Sequence, residues 1–471
     1  MRKPKQDIEY TVIEQVEITS ITPEDKAMGK HDGKVIFVDN AVPGDVVDIK
    51  IYKSKKSFSK GSAIKFHSYS PLRSTPHCEH FGMCGGCKWQ DLKYDAQLLF
   101  KHQIVKEAFE HIGKLENLPE ILPTLASPKT EFYRNKLQFA FCNKGVAYDE
   151  SFYNKMRFVE EPSAGFHIQG QFQRVLDVKF CHHMPEPSNK IRLVVKDFAI
   201  ANNIAFHDVI KHEGLMREVT VRMSSLGETM VIVCFYYEDE FNEKLMQHLL
   251  QEVPEITTLL YVINGKKNDY STDLPHHVYH GKGFIMEQLG NVKYKISPQS
   301  FFQTNSYQAK NLYDVIKDFA GLTGNEKVFD LYTGTGSIAL YLASAAKQIT
   351  GIEYIESAIA DANENAAINN ITNCTFLCGD MAKTFTANFI AQHGKPDIII
   401  TDPPRAGMHP DVVEMINNIA ADKVVYVSCN PTTQARDLQM LSTIYNIKKI
   451  QPVDMFPHTT HVECVVELVR K

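Results

Sequence analysis

From about residue 306 to its end, the chain alternates between helical segments and short β-branched runs. After a helix near 306–320 come the strand KVFDLY, the helix SIALYLASAA, the strand QITGIEY, the helix IESAIADANENAAINN and the strands TFLCG, DIIITD, KVVYVSC, IKKIQPVDMF and HVECVVELVR. This alternation favours a doubly wound, mainly parallel sheet with helices on its faces. Such sheets bind ligands at the carboxyl ends of their strands. We therefore predict an α/β domain and expect its chemistry at that edge.

The chain ahead of this domain is rich in strands. YTVIEQVEITSI, GKVIFVDN and DVVDIKIYKS, separated by the turns GKHDG and VPGD, predict a small closed β-barrel of the oligonucleotide-binding kind. From about residue 131 to 292, strands such as KLQFAFCNKG and TTLLYVING predict a central antiparallel β domain. Because 471 residues exceed one core, we expect three domains, over 1–70, 71–300 and 301–471. A helix predicted at about 91–113 should pack on the last domain.

A glycine-containing turn, DLYTGTGS at 330–337, follows the first strand of the α/β domain. Glycines there let the backbone approach a ligand closely, but Ala339 stands where a dinucleotide site has its third glycine. Glu353 ends the next strand, where such folds place a carboxylate on ribose hydroxyls, and Asp380 ends the strand after it. Either acid alone is also compatible with a surface position or a helix cap. Together with the turn they favour S-adenosylmethionine over a dinucleotide.

A cysteine and a carboxylate lie at two later strand ends. A cysteine at such a position has a chemical use if the methyl acceptor is carbon 5 of uracil. That carbon is too weak a nucleophile to attack a sulfonium methyl group, but addition of a thiolate to carbon 6 creates an enolate with electron density on carbon 5. Cys429, after the strand VVYVS, is the candidate nucleophile, although isolated cysteines are commonly small buried hydrophobes. A base must then remove the proton from carbon 5, and Glu463 in HVE is the candidate. Arg405 follows Asp402-Pro-Pro where amine-methylating enzymes carry an aromatic residue, which disfavours amine methylation.

Four of the ten cysteines form a candidate metal site. Cys78, Cys84 and Cys87 are separated by five and by two residues, Gly85-Gly86 allows the chain to fold round a ligand, and Cys181 in VKFCHHM is the natural fourth. Four thiolates suit either zinc or an iron-sulfur cluster. Nearby histidines are alternative ligands or solvated neighbours: His77, His80, His182 and His183.

Several segments resemble, in order and spacing through residues 297–463, the RNA (uracil-5-)-methyltransferases: SPQSFFQTN, DLYTGTGSIALYLA, GIEYIESAIADANENAAINN, DPPRAG, YVSCNP and FPHTTHVE. The barrel resembles a TRAM domain, and the whole chain is most similar to the 23S ribosomal RNA branch of the family. The resemblance implies a Rossmann-like class I methyltransferase fold, with Cys429 as nucleophile and Glu463 as proton acceptor. It implies S-adenosylmethionine contacts at Gln303, Tyr332, Ser337, Glu353, Asp380 and Asp402. It also implies a 4Fe-4S cluster on Cys78, Cys84, Cys87 and Cys181.

RNA is the expected partner, although the net charge of −5 does not indicate it. Phosphate contacts need only a local basic surface, and an acid-free stretch from Ile49 to His77 contains Lys50, Lys53, Lys55, Lys56, Lys60, Lys65 and Arg73. A solvated loop face explains this stretch equally well. Further candidates for RNA contact are Phe132, Tyr133, Arg134, Asn135, Lys136, Phe301 and Phe302.

Several alternatives stay open from the sequence. The substrate is 23S ribosomal RNA or transfer RNA, with the barrel and the cysteines favouring the former. A cytosine-5 methyltransferase or a non-catalytic RNA-binding assembly factor are the rival functions. The sequence contains no signal peptide and no apolar run of membrane-spanning length, so we expect a cytoplasmic protein, with a monomer as the default.

Overall fold

The computed structural model describes residues 11–22, 26–148, 156–168, 170–271 and 273–471. The first strands are β1 (Val12–Ile21), β2 (Ala27–His31), β3 (Lys34–Asp39), β4 (Val46–Ser54) and β5 (Phe58–Ser68). They form a closed barrel in the order β1-β2-β3-β5-β4. Alternate residues such as Val16 and Ile18 on β1, and Val47 and Ile49 on β4, point into its core. The predicted N-terminal barrel is confirmed.

A helix connects the barrel region to the rest of the chain. It is α1 (Tyr94–Glu107), which continues as a π-helical turn, Ala108–Ile112. Val105 and Phe109 are buried in one hydrophobic core with Leu438 near the C-terminus. Leu99 is 67% exposed, because at 3.6 residues per turn it lies about 120° round the helix from buried Val105.

The central strands are β6 (Lys136–Cys142), β7 (Gly145–Tyr148), β8 (Met156–Val159), β9 (Ser163–Ile168), β10 (Gln171–Asp177), β11 (Met216–Met223), β12 (Thr229–Phe235), β13 (Thr258–Ile263) and β14 (His277–His280). They form one sheet in the order β14-β13-β12-β11-β6-β9-β10-β7-β8, against which α2 (Ser188–Ala201) and α3 (Glu240–Glu252) pack. The sheet is mainly antiparallel, as predicted, but β7–β10 and β12–β13 are parallel pairs. The second pair is joined through α3, the long crossover that parallel pairing needs.

A hairpin of β15 (Ile285–Leu289) and β16 (Val292–Ile296) leads into the C-terminal domain. The helices of that domain are α4 (Ser306–Ala320), α5 (Ser337–Leu342), α6 (Glu356–Ile368), α7 (Met381–Thr384), α8 (Ala387–His393), α9 (Pro410–Ile419) and α10 (Pro431–Leu441). Its strands are β17 (Lys327–Leu331), β18 (Gln348–Glu353), β19 (Cys374–Cys378), β20 (Ile398–Thr401), β21 (Lys423–Ser428), β22 (Tyr445–Val453) and β23 (Glu463–Arg470).

The C-terminal sheet has the order β19-β18-β17-β20-β21-β23-β22. It is parallel from β19 to β21, whereas β23 runs antiparallel to both of its neighbours. The Rossmann-like α/β fold is therefore confirmed together with the barrel and the central sheet. The domain limits at residues 70 and 300 stay a prediction, and residues 1–10 lie outside the described part. Among the described residues, no helix combines the length and the apolar composition that crossing a bilayer requires.

Candidate active site

Strand register brings three predicted residues to one edge of the sheet. Asp402 directly follows β20, Cys429 directly follows β21, and Glu463 is the first residue of β23. Because β21 and β23 are antiparallel with Ser428 opposite Cys464, Cys429 and Glu463 stand at the next opposed position. Neighbouring strands lie about 4.8 Å apart, so the thiol and the two carboxylates share one small region.

Burial and mutual repulsion dominate the electrostatics of this region. Glu463 is only 5% exposed, and burial, followed by the negative charge of Asp402, raises its pKa. Burial also raises the pKa of Asp402, with Asp330 contributing in the same direction. Burial raises the pKa of Cys429 to about 11, reinforced by both carboxylates. Two carboxylates this close disfavour double ionisation, so a nearby cation would favour their charged forms.

Arg405 supplies positive charge to the same edge. It opposes the raised pKa of both Cys429 and Glu463. Its guanidinium Nη2 lies 3.0 Å from Nδ1 of His461, whose pKa burial lowers to about 4. The His461 ring is therefore neutral near pH 7 and accepts this hydrogen bond. The Arg405 carbonyl accepts from Asn430 Nδ2 at 3.0 Å, which ties the Asp402-Pro-Pro loop to the start of α10.

The glycine turn after β17 is open on one side. Tyr332 and Gly334 both have left-handed φ angles, of 63° and 56°. A Cβ built on Gly334 meets nothing within 4 Å, so this part of the turn faces open space. Glu353 Oε2 accepts from Gly334 N at 3.2 Å, and its Oε1 accepts from the backbone of Tyr354 at 2.8 Å. The Glu353 carboxylate thus fixes the turn.

Ser337 and Asp380 have structural contacts of their own. The Ser337 hydroxyl accepts from Tyr313 at 2.9 Å, which joins α4 to α5. Asp380 caps α7 by accepting from Ala382 N at 3.1 Å, the helix-cap alternative that the sequence left open. Gln303 is buried ahead of α4.

The backbone of Gln303 is held by a residue outside the predicted site. Asn135 donates from Nδ2 to the Gln303 carbonyl at 2.9 Å and from its backbone to Thr304 at 2.8 Å. The sequence placed Asn135 among RNA contacts. Its adjacency to Arg134 and Lys136 suggested a surface, and no local pattern indicated a partner so distant in the chain.

The four predicted metal-ligating cysteines line one cavity of about 190 Å³. The Sγ of Cys87 lies 2.8 Å from His183 Nε2 and accepts from Gln90 Nε2 at 3.2 Å. Burial raises the pKa of Cys87 and Cys181 to about 12, so thiolates here need a compensating cation. A zinc ion with Zn–S bonds of about 2.3 Å would hold sulfurs roughly 3.8 Å apart.

The cysteine sulfurs are spread more widely than one zinc ion requires. Among the described residues, only His77, Glu131 and His182 form a group of three ligands whose atoms lie within 4.8 Å of one another. No three cysteine sulfurs within the described ranges meet that limit. The four cysteines therefore share a cavity without forming a compact group of ligands among the described residues.

The residues proposed to contact RNA differ in how far their side chains are exposed to solvent. Phe301 is 70% exposed, whereas Phe302 and Tyr133 are 6% and 1% exposed and belong to the interior. In the basic stretch Arg73 pairs with buried Asp45 at 2.7 Å, so its charge is used within the fold. The exposed lysines of this stretch are Lys53, Lys55, Lys56 and Lys65.

Comparison with known proteins gives consistent matches. The family model for tRNA (uracil-5-)-methyltransferase matches residues 94–471, and the TRAM domain model matches residues 13–64. An uncharacterised RNA methyltransferase of Bacteroides thetaiotaomicron is 50% identical over 94% of this chain and 99% of its own length, and one from Chlorobaculum tepidum is 39% identical over 98% and 97%. The crystal structure of a Pyrococcus abyssi tRNA (uracil-54, C5)-methyltransferase with S-adenosyl-L-homocysteine has a TM-score of 0.75 and 30% identity, covering 97% of this chain and 99% of that one.

Proposed function

This chain belongs to the tRNA (uracil-5-)-methyltransferase family, and we propose that it methylates carbon 5 of one uridine in structured RNA through a covalent adduct on Cys429. The methyl donor of the family is S-adenosylmethionine. The observation that carries the proposal is the convergence of Cys429, Glu463 and Asp402 at one sheet edge, with Arg405 beside them. An amine-methylating site needs neither a thiol nor a second carboxylate there.

The residues act in a fixed order. Cys429 loses its thiol proton to solvent, and its sulfur bonds to carbon 6 of the uracil while electrons move to the oxygen on carbon 4. Carbon 5 then bonds to the methyl group as the enolate electrons return and the carbonyl at carbon 4 re-forms. The bond between the methyl group and the sulfonium breaks, its electron pair stays on the sulfur, and S-adenosylhomocysteine is the leaving group. Glu463, as a carboxylate, takes the proton from carbon 5, and the bond between sulfur and carbon 6 breaks as the ring double bond re-forms. Arg405 favours the thiolate and the carboxylate over their protonated forms.

Contacts with the methyl donor are assigned at the carboxyl edge. The open space over Gly334 supports placing the donor against Tyr332 and Glu353, with Gln303 and Asp402 toward the reacting methyl group. A sulfonium near Asp402 and Glu463 would favour their charged forms. Ser337 and Asp380 complete the proposed set of donor contacts, in addition to the structural contacts that each makes.

A 4Fe-4S cluster is proposed on Cys78, Cys84, Cys87 and Cys181. The family resemblance of the cysteine segment is the reason to prefer this cluster over zinc, and the four cysteines line one cavity of about 190 Å³. Methyl transfer contains no redox step, so the role of the cluster is to fix the structure or to position RNA. Purification without oxygen, followed by iron, sulfide and zinc analysis, tests the assignment. A colourless protein with stoichiometric zinc would contradict it.

The RNA target is proposed to be 23S ribosomal RNA, from the barrel and the cysteine segment. Transfer RNA is the second candidate, because the Pyrococcus abyssi tRNA enzyme is matched over 99% of its length by 97% of this chain. Because that match includes nearly the whole of this chain, the barrel and the cysteine segment distinguish a ribosomal RNA substrate from a transfer RNA substrate only weakly. Mapping 5-methyluridine in both RNAs with and without this gene decides between them.

Labelled methyl donor and undermodified RNA test the proposed reaction. Wild-type protein should transfer label to uracil carbon 5, and the Cys429→Ala variant should transfer none. Label on cytosine would support the cytosine-5 alternative. No label from either protein, on either RNA, would support a non-catalytic RNA-binding role.

A further inference from the structure

One segment leads directly into the proposed base. It comprises residues 454–462, between the end of β22 and Glu463, and we call it the 454–462 segment. His458 lies in its middle with a left-handed φ of 64° and is buried. A residue other than glycine keeps such a backbone only when its surroundings fix it. The contacts that fix His458 therefore also set where the chain enters β23.

Gln97 of α1 binds His458 from two directions. Gln97 Oε1 accepts from His458 N at 2.9 Å, and Gln97 Nε2 lies 3.1 Å from His458 Nδ1. The same Nε2 donates to the carbonyls of Trp89 at 2.8 Å and Leu92 at 3.0 Å. Gln97 is fully buried, so one amide joins α1, the 454–462 segment and the chain that follows Cys87.

The cysteine segment also contacts His458 directly. The His458 carbonyl accepts from Lys88 N at 2.8 Å and from Trp89 N at 3.1 Å. Lys88 is the residue after Cys87, whose sulfur lines the cysteine cavity. A displacement of Cys87 would therefore be transmitted to His458 through a single peptide unit and the hydrogen bond of Lys88.

Helix α1 fixes the start of the segment as well. Lys101 Nζ binds Asp454 Oδ1 at 2.5 Å and the Phe456 carbonyl at 3.0 Å, and Tyr94 donates to Asp454 Oδ2 at 2.8 Å. Tyr94, Gln97 and Lys101 are spaced by three and four residues, so they share one helix face. That face holds the first half of the 454–462 segment, from Asp454 to His458.

We propose that Gln97 is a positioning residue that, through its hydrogen bonds to His458, couples the cysteine segment to the orientation of Glu463. The inference rests on the proposed function, because it assigns Glu463 a separate step after methyl transfer. A misplaced base should slow removal of the proton from carbon 5 while leaving thiol addition and methyl transfer intact. A purely structural role would slow all of these steps together.

The test uses Gln97→Met, which keeps the side-chain length and removes the amide. Gln103→Met is the matched control, since Gln103 lies on the exposed side of the same helix and donates to Glu107, one turn further along. With ordinary RNA, Gln97→Met should release product roughly 10- to 100-fold more slowly, as expected for a base displaced by about 1 Å, and methylated enzyme–RNA adduct should accumulate on denaturing gels. With 5-fluorouridine RNA, where no proton can leave carbon 5, adduct should form at the wild-type rate.

The remaining outcomes are distinguishable. Equal slowing of adduct formation and of turnover, or no change in either, would overturn the coupling. Absence of any wild-type adduct with 5-fluorouridine RNA would instead refute the proposed function. If Gln97→Met does not fold, Gln97→Leu gives a second test, because leucine also lacks the amide and is a good helix former. It should show the same selective slowing. Iron content should match wild type in both variants, and loss of iron would make the defect structural and contradict the proposal.

Discussion

Cys429 and Glu463 occupy opposed positions at the ends of two antiparallel strands, one residue beyond the paired Ser428 and Cys464. This pairing holds the thiol and the carboxylate next to each other at one edge of the sheet, each on a residue at the end of a strand. Since both groups lie at the ends of paired strands, the geometry needs no large rearrangement for the addition and proton removal that we propose.

The activity should rise with pH through the neutral range. Burial and the charge of Asp402 raise the pKa of Glu463. Its carboxylate form therefore appears at a higher pH than that of an ordinary glutamate, whose pKa is about 4.3. The raised pKa of Cys429, to about 11, acts in the same direction. We expect kcat/KM to increase steadily from pH 6 to pH 9. A flat profile over this range would contradict the electrostatic description.

Removing Arg405 should shift that profile to higher pH. Its charge lowers the pKa of both Cys429 and Glu463, so Arg405→Gln leaves more of each group protonated at pH 7. Arg470→Gln is the control, because Arg470 lies at the other end of β23 and pairs with exposed Asp422. A profile that moves equally in both variants would point to a general charge effect.

Glu463→Gln should stabilise the ligand-free protein increasingly as the pH rises. In the unfolded chain Glu463 is ionised above its ordinary pKa, whereas burial raises the pKa in the folded state. Between the unfolded-state pKa and the folded-state pKa, the folded protein therefore binds more protons than the unfolded chain. The free energy of unfolding of the wild type falls as the pH rises through this interval. Glutamine does not titrate. Thermal unfolding of both proteins at pH 4, 7 and 9 should show a difference in Tm that grows with pH, and a constant difference would contradict the assignment.

Lys101→Met should strongly destabilise the fold. The substitution leaves the buried carboxylate of Asp454 without its lysine partner. Removing one member of a buried ion pair lowers the free energy of unfolding by about 3–5 kcal/mol. Urea unfolding measures the loss. Lys106→Met is a suitable control, because its pair with Glu110 is exposed. Equal effects of the two substitutions would show that Lys101 is not paired as described.

The sequence predicted the positions of the candidate site residues at strand ends better than it predicted the contacts that support them. Asp402, Cys429 and Glu463 were predictable because each lies at a strand end, and strand periodicity is a local signal. The pair Lys101–Asp454 joins residues 353 positions apart, and Gln97–His458 joins residues 361 apart. No local pattern connects such partners. Asp380 and Ser337 also show that an acid or hydroxyl at the right spacing can have a structural contact as well as a proposed ligand contact.

The most direct test of the central claim is to identify the atom that bonds to RNA. Wild-type protein is incubated with methyl donor and RNA carrying 5-fluorouridine at the mapped site, and the digested adduct is analysed by mass spectrometry. We predict one methylated nucleotide on the peptide that contains Cys429, and no adduct from Cys429→Ala. An adduct on any other cysteine, or methyl transfer to ordinary RNA by Cys429→Ala, would contradict the claim.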